Sequence, residues 1–267
     1  MADGERGTKR DREADADEED AGCCFPRPLW TALVTGGNRG LGLEIVRALV
    51  ARDNTQIFLG CRDLEAGRAA AAALRRGSAS ECAAVQIDVA SAASIEKALF
   101  TINVACAGRG LDCLINNAGV MPEAEDPAFS LARARSAMAV NFRGAVAVTD
   151  AFLPMLRRRA VYAHSNILNV SSGVGARTCG LLDSGDSASL LAENIGDDAL
   201  SDRFAALLEV VGADEAHPYR KNIPTVGYGL SKAALNQYTR LLSKREALCG
   251  IPTDSRYLQL ECSGTIF

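Results

Sequence analysis

A glycine-rich turn near the start of the chain restricts the fold more than any other feature of the sequence. An apolar run at Thr31–Thr35 predicts a short buried strand, and the sequence predicts a helix over Leu41–Ala51. Between them, residues 35–42 are Thr-Gly-Gly-Asn-Arg-Gly-Leu-Gly. Glycines in such a turn let main-chain N–H groups approach a pyrophosphate closely, and the helix N-terminus adds partial positive charge. An ordinary tight turn also needs glycines, but their place between a strand and a helix predicts a dinucleotide-binding βα unit.

The rest of the chain alternates short apolar runs with helix-forming runs. Further strands are predicted at Gln56–Cys61, Ala84–Asp88, Leu111–Ile115, Asn166–Val170 and Tyr257–Leu260. Helices are predicted over Leu64–Arg76, Ser94–Ala107, Ala132–Arg158 and Ser231–Glu246. Because strands separated by helices make βαβ units, we expect an α/β fold, a Rossmann-like doubly wound parallel sheet in a single domain. Ligands of such sheets bind at the carboxyl ends of the strands, so the loops there should form the site.

Two segments depart from this alternation. Residues 1–20 contain nine acids and four bases, and residues 1–28 have too little apolar surface to fold. We expect a disordered acidic N-terminal tail over 1–28 and the Rossmann domain over 29–267. Residues from about 181 to 224 are expected to form a helical insertion around an amphipathic segment, Asp198–Val211. Asp197 or Asp198 should cap the start of this helix and Gly212 its end.

Composition argues against several kinds of partner. The formal net charge of −4 gives no reason to expect a nucleic-acid partner, which would need a basic face. No apolar run approaches the ~18 residues needed to cross a bilayer, so we expect no membrane partner. The nine cysteines are scattered without CxxC spacing, as in a reduced, cytoplasmic protein. With two histidines and no paired ligand motif, we expect no metal site.

A tyrosine and a lysine form the candidate catalytic pair. Tyr228 and Lys232 are four residues apart, so on a helix their side chains share one face. A lysine ammonium beside a tyrosine favours the phenolate, which lets the phenol exchange a proton with a carbonyl or alcohol oxygen near neutral pH. Alone, the YxxxK spacing would also suit an exposed helix pair, so the motifs before it decide its meaning.

Those motifs follow one another in the order of a known family. After the glycine turn come Asp88-Val89, Asn116-Asn117-Ala118-Gly119, Asn141 within VNFRG, Asn169-Val170-Ser171-Ser172, and finally Tyr228 with Lys232. From about Leu29 to Gly264 the chain resembles the short-chain dehydrogenase/reductase family, whose glycine pattern is TGxxxGxG. The stretches TGGNRGLGLEIVRAL and CRDLEAGRAA resemble its NADPH-dependent carbonyl reductases in particular.

The resemblance implies a role for each motif. Tyr228 would act as general acid, Lys232 would also hold the nicotinamide ribose, and Asn141 would anchor a water that links Lys232 to solvent. Ser172 would donate a hydrogen bond to the substrate oxygen, with Ser171 as the neighbouring candidate. The residues expected to bind the cofactor are Gly36, Asn38, Arg39, Gly40, Leu41, Gly42, Arg62, Asp88, Val89, Asn117, Ala118, Gly119, Tyr228 and Lys232.

The choice between NAD and NADP depends on the residues after the second strand. An acid there binds the ribose 2′-OH of NAD, whereas an arginine accommodates the 2′-phosphate of NADP. Arg62 takes this place and Arg39 lies in the glycine turn, so two guanidinium groups can grip a phosphate. Asp63 is the counter-evidence, because a shift by one residue would make it the ribose acid. We expect NADP(H).

The expected activity is reduction of small carbonyl compounds (aldehydes, ketones or quinones) by NADPH. The interval between Ser172 and Tyr228 is longer than in most of the family, as in carbonyl reductases whose insertion blocks tetramer formation, so we expect a monomer. Ser263-Gly264 replaces the family's Pro-Gly turn and the sequence ends at Phe267, so we expect a C-terminally truncated domain. Two alternatives remain: a catalytically weak nucleotide-binding sensor or scaffold, and a retinol- or steroid-directed dehydrogenase.

Overall fold

The structure, a computed structural model, describes residues 29–74, 80–122, 128–161, 164–223, 225–247 and 253–254. Within these residues the strands are β1 Trp30–Thr35, β2 Thr55–Cys61, β3 Glu81–Gln86, β4 Cys113–Asn116, β5 Asn166–Asn169 and β6 Thr253–Asp254. They form one parallel sheet in the order β3-β2-β1-β4-β5-β6. The order reverses between β1 and β4, and a ligand crevice is expected where the carboxyl ends of these strands diverge.

Helices cover both faces of the sheet. They are α1 Gly40–Val50, α2 Leu64–Leu74, α3 Ala92–Ala105, α4 Leu131–Met138, α5 Ala145–Ala160, α6 Gly173–Leu181, α7 Ser184–Leu190, α8 Asp197–Ala213, α9 Pro218–Asn222 and α10 Val226–Ala247. Successive side chains of β1 point to opposite faces of the sheet. Val34 packs in a core with α1 and α2, and Leu33 packs in a larger core with α3, α5 and α10. The doubly wound parallel α/β fold predicted from the sequence is confirmed.

The helix predicted over Ala132–Arg158 is interrupted in the structure. A π-helical turn, Ala139–Gly144, separates α4 from α5, and it contains Asn141. At its end a Cβ on Gly144 would lie 2.8 Å from a side-chain carbon of Val89. The interruption therefore brings the helix against the loop after β3, and π-turns of this kind are frequent at functional sites.

The segment 181–224 contains α7, α8 and α9, and α8 packs on α4 and α10. The apolar residues of its inner face are all buried: Leu200, Phe204, Leu207, Leu208 and Val211. The rings of Phe204 and Phe142 are 6.4 Å apart, which ties α8 to the core.

The caps predicted for α8 are wrong. Gly196 occupies the N-cap position with no side-chain cap, and the helix continues through Gly212 to Ala213. Asp197 instead pairs with Arg245 at 2.8 Å. Gly212 is the penultimate residue of α8. A Cβ there would lie 2.7 Å from the Leu131 side chain of α4. The lack of a side chain at Gly212 therefore allows α8 to pack closely on α4, and it does not end the helix.

Three sequence expectations lie outside the described residues: the tail 1–28, the strand Tyr257–Leu260 and the turn Ser263-Gly264. In the part of the chain that is described, none of the helices has the length and apolarity to span a membrane. The same residues contain no cluster of histidine, cysteine and acidic side chains suited to a metal ion.

Candidate active site

The glycine turn after β1 leaves no room for side chains. Gly36 has a φ of +66°, a conformation that favours glycine. A Cβ on Gly42 would overlap the main-chain oxygen of Gly36 and the side-chain amide of Asn117. Arg39 precedes α1 in extended conformation and makes no side-chain cap. The first N–H groups of α1 are thus left for a ligand, and helix N-termini bind phosphates well.

The loop after β4 is clamped onto this turn. The Asn117 side-chain nitrogen donates to the main-chain oxygens of Thr35 and Gly36 at 2.9 and 3.2 Å. The Thr35 hydroxyl accepts from the main-chain nitrogens of Asn117 and Ala118, both at 3.0 Å. These bonds fix the two loops on either side of the switch point. Sequence reasoning missed Thr35, although its place as the threonine of TGxxxGxG was a usable signal.

A cavity of about 790 Å³ opens above these loops. The sequence-predicted cofactor residues that line it are Gly36, Asn38, Arg39, Gly40, Leu41, Gly42, Arg62, Asp88, Val89, Asn117, Ala118, Gly119, Tyr228 and Lys232. Asn141 and Ser172 are not in its wall. Residues that the sequence did not single out complete it, among them Cys61, Ile87 and Val120, which flank the predicted motifs. The glycine cradle and the size of this cavity suit a dinucleotide.

Three charged residues lie near this end of the cavity: Arg39 in the glycine turn, and Arg62 and Asp63 after β2. Arg39 and Arg62 are exposed at the cavity, and within the described ranges neither guanidinium has a carboxylate partner. The Asp63 carboxylate instead accepts from the main-chain nitrogens of Glu65 and Ala66, both at 3.0 Å. Asp63 therefore holds the start of α2, which makes it less available to a ribose hydroxyl.

Lys232 lies deep beneath Tyr228. Its side chain is 4% exposed, and its ammonium donates to the main-chain oxygen of Val170 at 2.8 Å. The same nitrogen is 5.9 Å from the centre of the Tyr228 ring. Burial lowers the pKa of Lys232 from its usual 10.5 to about 8, so the ammonium form still predominates at neutral pH.

The two serines after β5 are used differently. Ser171 lies in the cavity wall, and its hydroxyl donates to the side-chain oxygen of Asn236. Ser172 caps α6: its oxygen accepts from the main-chain nitrogen of Val174 at 3.2 Å. No acceptor for the Ser172 proton lies among the described residues. Among these residues the Ser172 proton is thus not engaged, although Ser172 itself is not in the cavity wall.

Asn141 braces the site and does not line it. Its side-chain oxygen accepts from the nitrogen of Val120 at 2.7 Å, and its nitrogen donates to the oxygen of Val120 at 2.8 Å. The nitrogen also donates to the Ser231 hydroxyl at 2.9 Å, and that hydroxyl donates to the main-chain oxygen of Tyr228 at 2.7 Å. The buried amide thus connects the loop after β4 to the first turn of α10.

Two glycines let α6 and α10 approach closely, which sequence reasoning also missed. A Cβ on Gly175 would lie 2.6 Å from the carbonyl carbon of Lys232, and one on Gly229 would lie 2.5 Å from the Thr178 hydroxyl. Ser172 is the N-cap of α6 and Tyr228 lies in the first turn of α10, so this packing sets the two elements that carry the candidate catalytic groups side by side.

A doubly wound sheet, a glycine cradle at its first βα turn and a Tyr–Lys pair beside it define a dinucleotide-dependent α/β protein. The short chain dehydrogenase family matches residues 30–182, and the chain belongs to this family of oxidoreductases, whose cofactors are nicotinamide dinucleotides. It is 27% identical to salutaridine reductase from Papaver bracteatum, over 80% of this chain and 77% of that one. It is also 27% identical to carbonyl reductase 1, an NADPH enzyme of Homo sapiens, over 81% and 75%. The crystal structure of NADPH-bound carbonyl reductase from chicken fatty liver is similar, with a TM-score of 0.62, 25% identity and coverage of 90% and 84%.

Proposed function

We propose that this protein is an NADPH-dependent carbonyl reductase that converts aldehydes, ketones or quinones to alcohols. One observation carries the proposal: a single cavity is lined by Arg39 and Arg62 and also by Tyr228 and Lys232. The strand order separates the end of β2 from the end of β5 by the switch point. A dinucleotide that spans it would bring its phosphate end to the arginines and its nicotinamide to the tyrosine.

The cofactor would be held by groups of different kinds. The N–H groups of the glycine turn and α1 suit the pyrophosphate, and Arg39 with Arg62 suits the 2′-phosphate of NADP. By family resemblance Asp88 and Val89 would hold the adenine and Lys232 the ribose of the nicotinamide. When bound, NADPH supplies the hydride that the protein itself lacks.

The side chains supply the proton and the electrostatic stabilisation. Tyr228 would donate its phenol proton to the carbonyl oxygen of the substrate, and the Lys232 ammonium would stabilise the phenolate that remains. Ser172 would donate a hydrogen bond to the same oxygen and stabilise the negative charge that develops there. Asn141 would keep the first turn of α10 in place through Ser231.

The decisive experiment follows NADPH absorbance with a panel of aldehydes, ketones, quinones, retinal and keto-steroids. Wild-type protein should consume NADPH with small carbonyl compounds, and Tyr228→Phe should abolish turnover while it binds NADPH with unchanged affinity. Nucleotide binding without turnover by the wild type would support the sensor or scaffold instead. Turnover confined to retinal or steroids would support a dehydrogenase for those compounds.

We also propose that the protein is a cytoplasmic monomer. The packing of α8 on α4 and α10 supports the monomer, because by family resemblance an insertion before the candidate tyrosine blocks the helix pairing of tetrameric relatives. Within the described ranges several cysteines form no disulfide, Cys61, Cys106, Cys113 and Cys179 among them, which supports a reducing compartment. Light scattering coupled to gel filtration tests the first statement, with a mass of 28.1 kDa expected and twice or four times that mass contradicting it.

A further inference from the structure

The serine that lines the cofactor cavity is held by a side chain of α10. Ser171 is in the wall of that cavity together with Tyr228 and Lys232. Its hydroxyl donates to the side-chain oxygen of Asn236. A second acceptor, the main-chain oxygen of Lys232, is 3.5 Å from the Ser171 hydroxyl oxygen, which is longer than an ordinary hydroxyl hydrogen bond. Asn236 is therefore the main acceptor of the Ser171 proton.

Asn236 lies on the face of α10 that carries the candidate catalytic pair. Tyr228, Lys232 and Asn236 follow one another at intervals of four residues, so their side chains share one side of the helix. Asn236 is half-buried there, one turn beyond Lys232 and two turns beyond Tyr228. The helix that positions the candidate acid thus also positions the group that engages the neighbouring serine.

The other end of the Asn236 amide has no structural use among the described residues. Its nitrogen Nδ2 is buried and has no hydrogen-bond partner in the described ranges. A buried N–H group without a partner destabilises a fold, so an apolar side chain of similar size would serve stability better at this position. The asparagine is therefore explained by its oxygen, which takes the Ser171 proton.

This bond gives the two serines different states. A hydroxyl has one proton, and a Ser171 proton that points to Asn236 is not available to a substrate oxygen. The Ser172 hydroxyl oxygen accepts from the nitrogen of Val174, and its own proton has no acceptor in the described part of the chain. Of the two neighbouring hydroxyls, one is engaged and the other keeps its proton free.

We propose that Asn236 is a positioning residue that selects the donor to the substrate oxygen: it engages Ser171 and so leaves this role to Ser172. The inference rests on the proposed function and adds a residue to its mechanism. Asn236 is not in the cavity wall, so it acts through Ser171. Removal of its side-chain oxygen frees the Ser171 proton, which can then replace that of Ser172.

The kinetic test asks whether Ser171 takes over when Asn236 is changed. Ser172→Ala should lower kcat about 100-fold, and adding Asn236→Leu should recover about tenfold or more of that loss. Asn236→Ala, which also lacks the acceptor, should act in the same way. Asn236→Asp is the matched control: its carboxylate still accepts the Ser171 proton, so kcat should stay as low as in Ser172→Ala. Adding Ser171→Ala to the recovered variant should abolish the recovery, which an effect on folding alone would not do.

A binding measurement separates the role of Asn236 from turnover. Trifluoroethanol resists oxidation, and as an alkoxide it offers NADP-loaded protein the same kind of charged oxygen as the reacting substrate. Calorimetric titration should show binding about tenfold weaker in Ser172→Ala, and affinity close to that of the wild type once Asn236→Leu is added. If this pattern appears but the wild type reduces no carbonyl compound, the role of Asn236 stands and the proposed reductase activity fails.

Three results overturn the inference. The first is that adding Asn236→Leu to Ser172→Ala leaves both kcat and trifluoroethanol affinity low. The second is that the recovery persists when Ser171→Ala is added. The third is that the wild type does not bind trifluoroethanol, or loses more affinity through Ser171→Ala than through Ser172→Ala.

Discussion

The Lys232 ammonium donates a hydrogen bond of 2.8 Å to the main-chain oxygen of Val170, the residue directly before the two candidate serines. This bond joins α10 to the loop after β5 from beneath, while Gly175 allows α6 to pack against the Lys232 main chain from the side. The candidate acid and the candidate hydrogen-bond donor are therefore held by one local framework, in which Lys232 is both a charge and a support.

The buried Lys232 should give stability a characteristic pH dependence. Its pKa falls from 10.5 in the unfolded chain to about 8 in the fold, so between these values the unfolded state binds more protons and stability rises with pH. Below pH 8 the difference is constant, and the full gain is about 3 kcal/mol. Urea unfolding of the wild type and Lys232→Met across this range measures it. The free energy of unfolding of Lys232→Met should lack this rise with pH. Parallel plots of unfolding free energy against pH for the two proteins would contradict the lowered pKa of Lys232.

The two arginines should distinguish NADPH from NADH. Arg39→Ala and Arg62→Ala should each weaken NADPH binding about tenfold or more, because each removes a charge-assisted hydrogen bond to the 2′-phosphate. NADH lacks that phosphate, so its affinity should change little. Nucleotide fluorescence titrations provide both numbers. Equal losses for the two nucleotides would show that the arginines do not recognise the phosphate, and tighter binding of NADH by the wild type would restore Asp63 as the ribose acid.

The glycine turn should tolerate no side chain at its tightest point. Gly42→Ala places a Cβ on the Gly36 oxygen and the Asn117 amide, so it should destabilise the protein by about 1–3 kcal/mol and reduce nucleotide binding. Gly180→Ala is the matched control, because a Cβ there meets nothing within 4 Å. Gly180 is the penultimate residue of α6, and alanine is favoured over glycine in a helix, so this variant should be at least as stable as the wild type. Thermal unfolding compares the two variants, and similar melting temperatures would contradict the close packing.

The two serines should separate in kinetics. Ser172→Ala should lower kcat about 100-fold or more, the usual effect of losing one donor to a developing oxyanion. It should also cost about 1 kcal/mol of stability through the lost cap of α6. Ser171→Ala should leave kcat within a few-fold, because its proton is already given to Asn236. Steady-state kinetics at saturating NADPH measures both kcat values. A larger loss of kcat in Ser171→Ala than in Ser172→Ala would show that Ser171 is the donor to the substrate oxygen.

The sequence predicted the fold well, and the residues that it predicts for the cofactor lie together in one cavity, because both depend on local order. Strands and helices alternate visibly, and in a parallel sheet every carboxyl end comes to one edge. Residues as far apart in the chain as Arg39, Asn117 and Tyr228 are therefore brought to one cavity without detailed knowledge of packing.

Contacts between distant elements were not predictable in the same way. The π-turn at Ala139–Gly144 coincides with a contact between Gly144 and Val89, and the helix periodicity on either side does not reveal it. The predicted caps of α8 fail because Gly212 is needed against Leu131 and Asp197 pairs with Arg245. Thr178 has an ordinary helical position in the sequence, and only the fold shows that its hydroxyl is buried without a hydrogen-bond partner among the described residues.

The most direct test of the central claim follows a hydrogen isotope. NADPH deuterated at its transferable position is incubated with the protein and a ketone that it consumes, and the alcohol is examined by mass spectrometry. We predict one deuterium on the carbinol carbon in the wild type and no alcohol above background with Tyr228→Phe. Alcohol without deuterium, or equal product from both proteins, would contradict hydride transfer at this site.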